Sequence, residues 1–230
     1  LVPDGAGLRV QGSHRLMAEH QEYEGLCYDP VSKDLLVLPK DVVGKDKQER
    51  DERPVFAFDL AAKKLRVEPL LVLSARAIAE QAVARSIDLP VDTTPKGKVR
   101  STLKLHFSEL AMIPGRRELL MLSAVDAVLL RVDQTGQLLG GVRLDRSELP
   151  QPEGLAFLPD GRLLVASEGA GGPGVPRVIR AATRMLLSRI RRIPTTTPSK
   201  KSATSRCEPW RRPRRLLPGA RQRSCQHYAL

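Results

Sequence analysis

A chain of 230 residues with 41% hydrophobic side chains carries enough apolar material for one full core or two small ones, although only 3% of it is aromatic. Its formal charge of +12 would suit a polyanionic partner. However, the stretch from Pro176 to Leu230 alone holds 15 Lys and Arg against a single acid, Glu208, leaving 23 bases and 25 acids before it. The body is close to neutral, so no nucleic-acid partner is expected for it. No run of about 18 apolar residues marks a membrane span. Cys27, Cys207 and Cys225 are odd in number and lack metal-site spacing.

Taken in chain order, EGLCYDPVSKDLLVLPKD (Glu24 to Asp41) reads as two strands joined by an Asp-Pro turn. PVFAFDLAAKKLRVEPL (54–70) follows as strand, Asp59-led turn and strand, after a charged loop within 42–53. Residues 24–75 thus predict a four-stranded antiparallel meander. The segment 76–105 interrupts this order. Its AIAEQAVARSI portion predicts a short helix and LPVDTTPKGK a loop, together an insertion between meanders. A second meander, 108–148, runs through SELAMIPGRRELLMLSAVD and VLLRVDQTGQLLGGVRL, with Asp133 at the turn position of Asp59. EGLAFLPDGRLLVASEG (Glu153 to Gly169) opens a third over 153–175, and PRVIRA offers its next strand.

The three openers are copies of one hairpin. The step from opener to apolar run is 11, 11 and 10 residues, and Ser108 to Glu153 spans 45. Four short strands per step of that size, with no helical period between them, predict β-propeller blades. The expected fold is therefore all-β, a partial β-propeller of four-stranded antiparallel blades. A ring takes roughly four to eight blades, so more chain is expected upstream of the opening Leu-Val-Pro-Asp. Residues 176–230, rich in Arg, Pro and Ser, predict a disordered basic tail. A shift of reading frame near residue 180 in a GC-rich gene would produce such a composition.

YEGLCYDPVSKDLLVL, PVFAFDL, SELAMIP with LLMLSAVDAVLLRVDQTGQ, and PQPEGLAFLPDGRLLVASEG, in that order, resemble the SdiA-regulated (YjiK-like) family of bacterial β-propellers. The resemblance covers roughly residues 10–175 and falls on that family's C-terminal blades. It implies a cell-envelope protein, periplasmic or membrane-anchored through an N-terminal segment, without an assigned enzymatic role. It also implies kinship with calcium-dependent phosphotriesterase-like propellers.

No G-x-S-x-G elbow, H-E-x-x-H helix or P-loop occurs, and no catalytic residue is assigned. Glu24 and Glu153 begin equivalent strands, which in a propeller line the central channel, and hard oxygens converging there can hold Ca²⁺. The competing expectation is structural: such carboxylates accept backbone N–H bonds from the neighbouring blade and fix its registry. Ser108 holds the same position in the second meander, with His106 just before it and Glu168 at the far end of the third hairpin. These three are expected to line a ligand-binding channel, while Asp126 is a weaker candidate and Asp59 and Asp133 are turn residues. The reading is a non-enzymatic propeller that binds a protein or small-molecule ligand. Its alternative is a Ca²⁺-dependent hydrolase of esterase, lactonase or phosphotriesterase type.

Overall fold

The computed structural model describes residues 2–5, 7–10, 12–14, 16, 22–40, 42–168 and 175–178. Their strands are β1 (Val2–Asp4), β2 (Gly7–Arg9), β3 (Tyr23–Asp29), β4 (Asp34–Pro39), β5 (Glu52–Asp59), β6 (Lys64–Leu65) and β7 (Leu71–Ser74). Helix α1 (Ala75–Ala84) follows, then β8 (Val91–Thr93), β9 (Val99–Ser101), β10 (Glu109–Met112), β11 (Glu118–Ser123), β12 (Val128–Asp133) and β13 (Leu138–Arg143). The last are β14 (Gln151–Phe157), β15 (Leu163–Glu168) and β16 (Val175–Val178). Every strand pairing is antiparallel. Among the described residues the fold is all-β apart from α1 and one short 3-10 turn.

The first meander runs β3-β4-β5, and its fourth position is shared by β6 and β7, which pair with opposite halves of β5. The second is the unbroken order β10-β11-β12-β13, and the third sheet is β14-β15-β16. Pairing continues to Val178, three residues into the stretch expected to be tail. The tail beyond it, with Cys207 and Cys225, lies outside the described residues, as does the glycine-rich stretch 169–174.

Apolar patterning shows how the sheets stack. In β11 and β12, successive residues are buried on both faces. Leu119, Met121, Val128, Leu130 and Val132 join the first meander in one core, while Leu120, Leu122 and Leu129 join the third sheet in another. A two-sided strand shows no alternation, which is why these segments read as continuous apolar runs. The second meander is thus the filling between its neighbours.

The insertion is part of the first core. Ser74 caps α1 by accepting the Ala77 N–H at 2.9 Å, and Ala75, Ile78, Ala79 and Ala82 are buried. That i, i+3, i+4, i+7 spacing is one helix face, and the helix begins two residues before the predicted segment. The stretch expected as a loop forms instead the β8–β9 hairpin, because Gly97, at φ +74°, lets the chain reverse after Thr94. Leu89, Leu103 and Leu105 flank it and are buried in the same core.

Candidate functional site

The three opening hairpins share one register. Gly25 faces Leu38, Glu109 faces Leu122 and Gly154 faces Ala166, and the pairs that follow match step for step. In the first and third, the register slips between Tyr23 and Gly25 and between Pro152 and Gly154. Glu24 and Glu153 are therefore the extra residues of two equivalent β-bulges, and a bulge re-aims the side chain it carries. Ser108 sits at the matching place, its N–H bonded to the Leu122 carbonyl at 2.9 Å.

These positions converge at one end of the stack, around a cleft of about 260 Å³. The loop after β4 brings Lys40 to it, and the segment before β10 brings His106 and Ser108. Ala124 and Val125 come from the turn after β11, and Arg146, Pro150, Gln151 and Glu153 from the approach to and start of β14. Two further expected residues lie beside it or away from it. Glu24 is joined to the cleft through Lys40, whereas Glu168 is exposed at the end of β15 and does not line it.

The charges are arranged in pairs and near-pairs. Lys40 Nζ donates to Glu24 Oε1 at 2.6 Å, which raises the ammonium's pKa, with the charges of Glu153 and Glu22 adding to the effect. Glu153 Oε1 accepts from Gln151 Nε2 at 2.9 Å. Arg146 Nη2 donates to the carbonyls of Ala124 (3.2 Å) and Val125 (2.6 Å). Burial lowers the pKa of His106, and the charges of Arg53, Lys104 and Lys40 outweigh Asp126 in the same direction. The imidazole is thus held neutral near pH 7, able to donate from one nitrogen and accept at the other.

The cation beside Glu24 is an ammonium of the chain itself. Among the described residues no group of three or more His, Cys, Asp or Glu side chains is placed to hold a metal ion. The registry role expected of Glu24 and Glu153 falls to another carboxylate. Glu109 Oε1 accepts the Leu26 N–H of the first meander at 3.0 Å and the Leu110 N–H at 2.9 Å. Burial raises the pKa of this carboxyl against the lowering effect of those two bonds. The reason lies one residue along: the first and third hairpins read Glu-Gly-Leu, the second Ser-Glu-Leu. Glu109 stands where they have Gly25 and Gly154, so it points along the seam and not into the cleft. A Cβ at Gly25 would lie 2.7 Å from Leu110 Cδ2, so glycine is what lets the second meander close on the first. Cys27, two residues on, packs against the same core.

Ser108 ties the other seam. Its buried hydroxyl donates to the Pro152 carbonyl of β14 at 3.2 Å, with Leu122 O at 3.4 Å. Asp126 is structural as well, accepting from Lys104 N (3.0 Å), Leu105 N (2.8 Å) and Ser123 Oγ (2.8 Å). Asp59 and Asp133 accept backbone N–H bonds within their own turns. No sequence motif announced Lys40 or Arg146. Lys40 follows the apolar run of β4 immediately, where the chain must leave the sheet at the cleft.

No family model matches the chain, and no curated protein matches it. Among solved structures, a luciferin-regenerating enzyme is similar over 69% of this chain and 44% of its own, with 10% identity and a TM-score of 0.37. The chain spans less than half the length of that enzyme.

Proposed function

We propose that the chain is a partial β-propeller of the SdiA-regulated type that binds a small ligand in the cleft at the convergence of its blades, without catalysing its turnover. One observation carries this reading: the equivalent positions Ser108 and Glu153 of two successive hairpins line one charged concavity, to which the third, Glu24, is joined through Lys40, and strand-end clefts of this kind are where binding groups collect. The stacking supports the propeller. Leu110 and Leu155 pack toward the preceding sheet, whereas Leu26, their equivalent, is 56% exposed, as on a blade awaiting a neighbour. Residence in the cell envelope, periplasmic or membrane-anchored, goes with the family resemblance, and a protein ligand is the other partner it allows. No helix among the described residues is long and apolar enough to cross a membrane.

A thermal-shift screen of small polar molecules tests the site. Compounds that raise the melting temperature of the full chain should lose that effect in a Lys40→Met, Glu153→Gln double variant. Stabilisation of both proteins alike would move the ligand elsewhere, and hydrolysis of a stabilising ester would restore the enzymatic alternative.

A further inference from the structure

The charges lining the cleft select among small ligands. Arg146 directs one nitrogen to two carbonyl oxygens, and among the described residues no carboxylate lies within ion-pair distance of it. Glu153 is held by an amide, that of Gln151, with no cation at ion-pair distance among the described residues. Lys40 is already neutralised by Glu24. What the cleft offers is one guanidinium and one carboxylate, each short of a counter-charge. A multiply charged anion would meet Glu153, and a metal ion would meet Lys40 and Arg146. A ligand carrying both charges satisfies both walls.

Size and polarity narrow it further. At about 30 Å³ per water, 260 Å³ is the room of roughly eight or nine waters, enough for a molecule of amino-acid size. Ala124, Val125 and Pro150 form an apolar wall beside the charged groups. We propose that the cleft takes a free amino acid with a small apolar side chain, its carboxylate on Arg146, its ammonium on Glu153 and its side chain against Val125. This rests on the ligand-binding reading above.

Calorimetric titration of the full chain with L-valine, isovaleric acid and isobutylamine separates the contributions, because the last two are valine without its ammonium and without its carboxylate. L-Valine is expected to bind at least tenfold more tightly than either. Arg146→Gln should weaken L-valine and isovaleric acid, with Arg146→Lys restoring most of the loss. Glu153→Gln should weaken L-valine and isobutylamine while leaving isovaleric acid unaffected. Isovaleric acid binding as tightly as L-valine, or Glu153→Gln without effect on L-valine, overturns the amino-acid assignment and leaves the cleft a binding site. Failure of all three probes overturns it too. The broader reading also falls only if the wider screen finds nothing that the Lys40→Met, Glu153→Gln variant abolishes.

Discussion

Between the first and second meanders a carboxylate, Glu109, reaches across to backbone N–H groups, whereas between the second meander and the third sheet a hydroxyl, Ser108, reaches across to a carbonyl. The first seam also encloses α1 and the β8–β9 hairpin around a large core. The second has a smaller core and, at the edge away from the cleft, an ion pair of Arg131 and Glu118, with Arg116 3.7 Å from the same carboxylate. The opening hairpins on the two sides of each seam share one register, so register alone does not set how sheets are held. The side chains at the bulge-equivalent position and one place after it decide, and they decide differently where the acid moves by one residue.

Neighbouring residues of β12 offer the sharpest test, because Leu130 faces the first core and Leu129 the second, and both are fully enclosed. Leu130→Ala should cost about 4 kcal/mol and Leu129→Ala about 3 kcal/mol in urea unfolding, since a larger enclosed core relaxes less around a cavity. Equal or reversed losses would show that the insertion adds nothing to the first seam.

Glycine substitutions come next. Gly25→Ala forces a Cβ to within 2.7 Å of Leu110 and 3.0 Å of Leu38, and overpacking of this kind should cost roughly 1–3 kcal/mol. At Gly154 the nearest neighbour is Ala166 Cβ at 3.1 Å, so Gly154→Ala should cost less, about 1 kcal/mol. Ser108→Ala should destabilise by about 1 kcal/mol, the usual net contribution of one buried hydrogen bond.

The smallest expected effect is a dependence on pH. Glu109's carboxyl titrates above its ordinary value in the folded chain, so the folded state binds its proton more tightly than the unfolded state. Stability from this group is therefore complete below the ordinary glutamate range and is lost as pH rises through the raised value. Denaturant midpoints measured from pH 4 to 7 should show that decline in the native chain and not in Glu109→Gln. An identical pH profile in the variant would mean that the seam does not sense the charge.

Much of the strand order can be read from residue types, because Asp-Pro, Pro-Gly and Pro-Asp-Gly punctuate alternating segments. The Thr-Pro-Lys-Gly reversal was harder to read, as three-residue strands carry too little alternation to stand out from a polar loop. In the cleft, Glu153, Ser108 and His106 were visible as equivalent or adjacent positions of a repeat. Lys40 and Arg146 were not, since a lone cation after an apolar run or in a polar loop resembles any solvated surface residue until the fold brings it to the cleft. Glu109 was legible in principle. A carboxylate displaced from Glu-Gly-Leu to Ser-Glu-Leu signals that its task has changed.

Cys27 gives the first seam a built-in clock. Burial, together with the charges of Glu109 and Asp29, pushes its thiol pKa up to about 12 despite a hydrogen bond with the Met112 backbone. Alkylation proceeds through the thiolate, so at neutral pH iodoacetamide should react with the half-buried Cys27 far more slowly than with an exposed thiol, and faster whenever the first two sheets loosen. Peptide mapping distinguishes that adduct from those at Cys207 and Cys225. The rate of its appearance, compared with a free thiol, reports how far the packing of the first two sheets protects it.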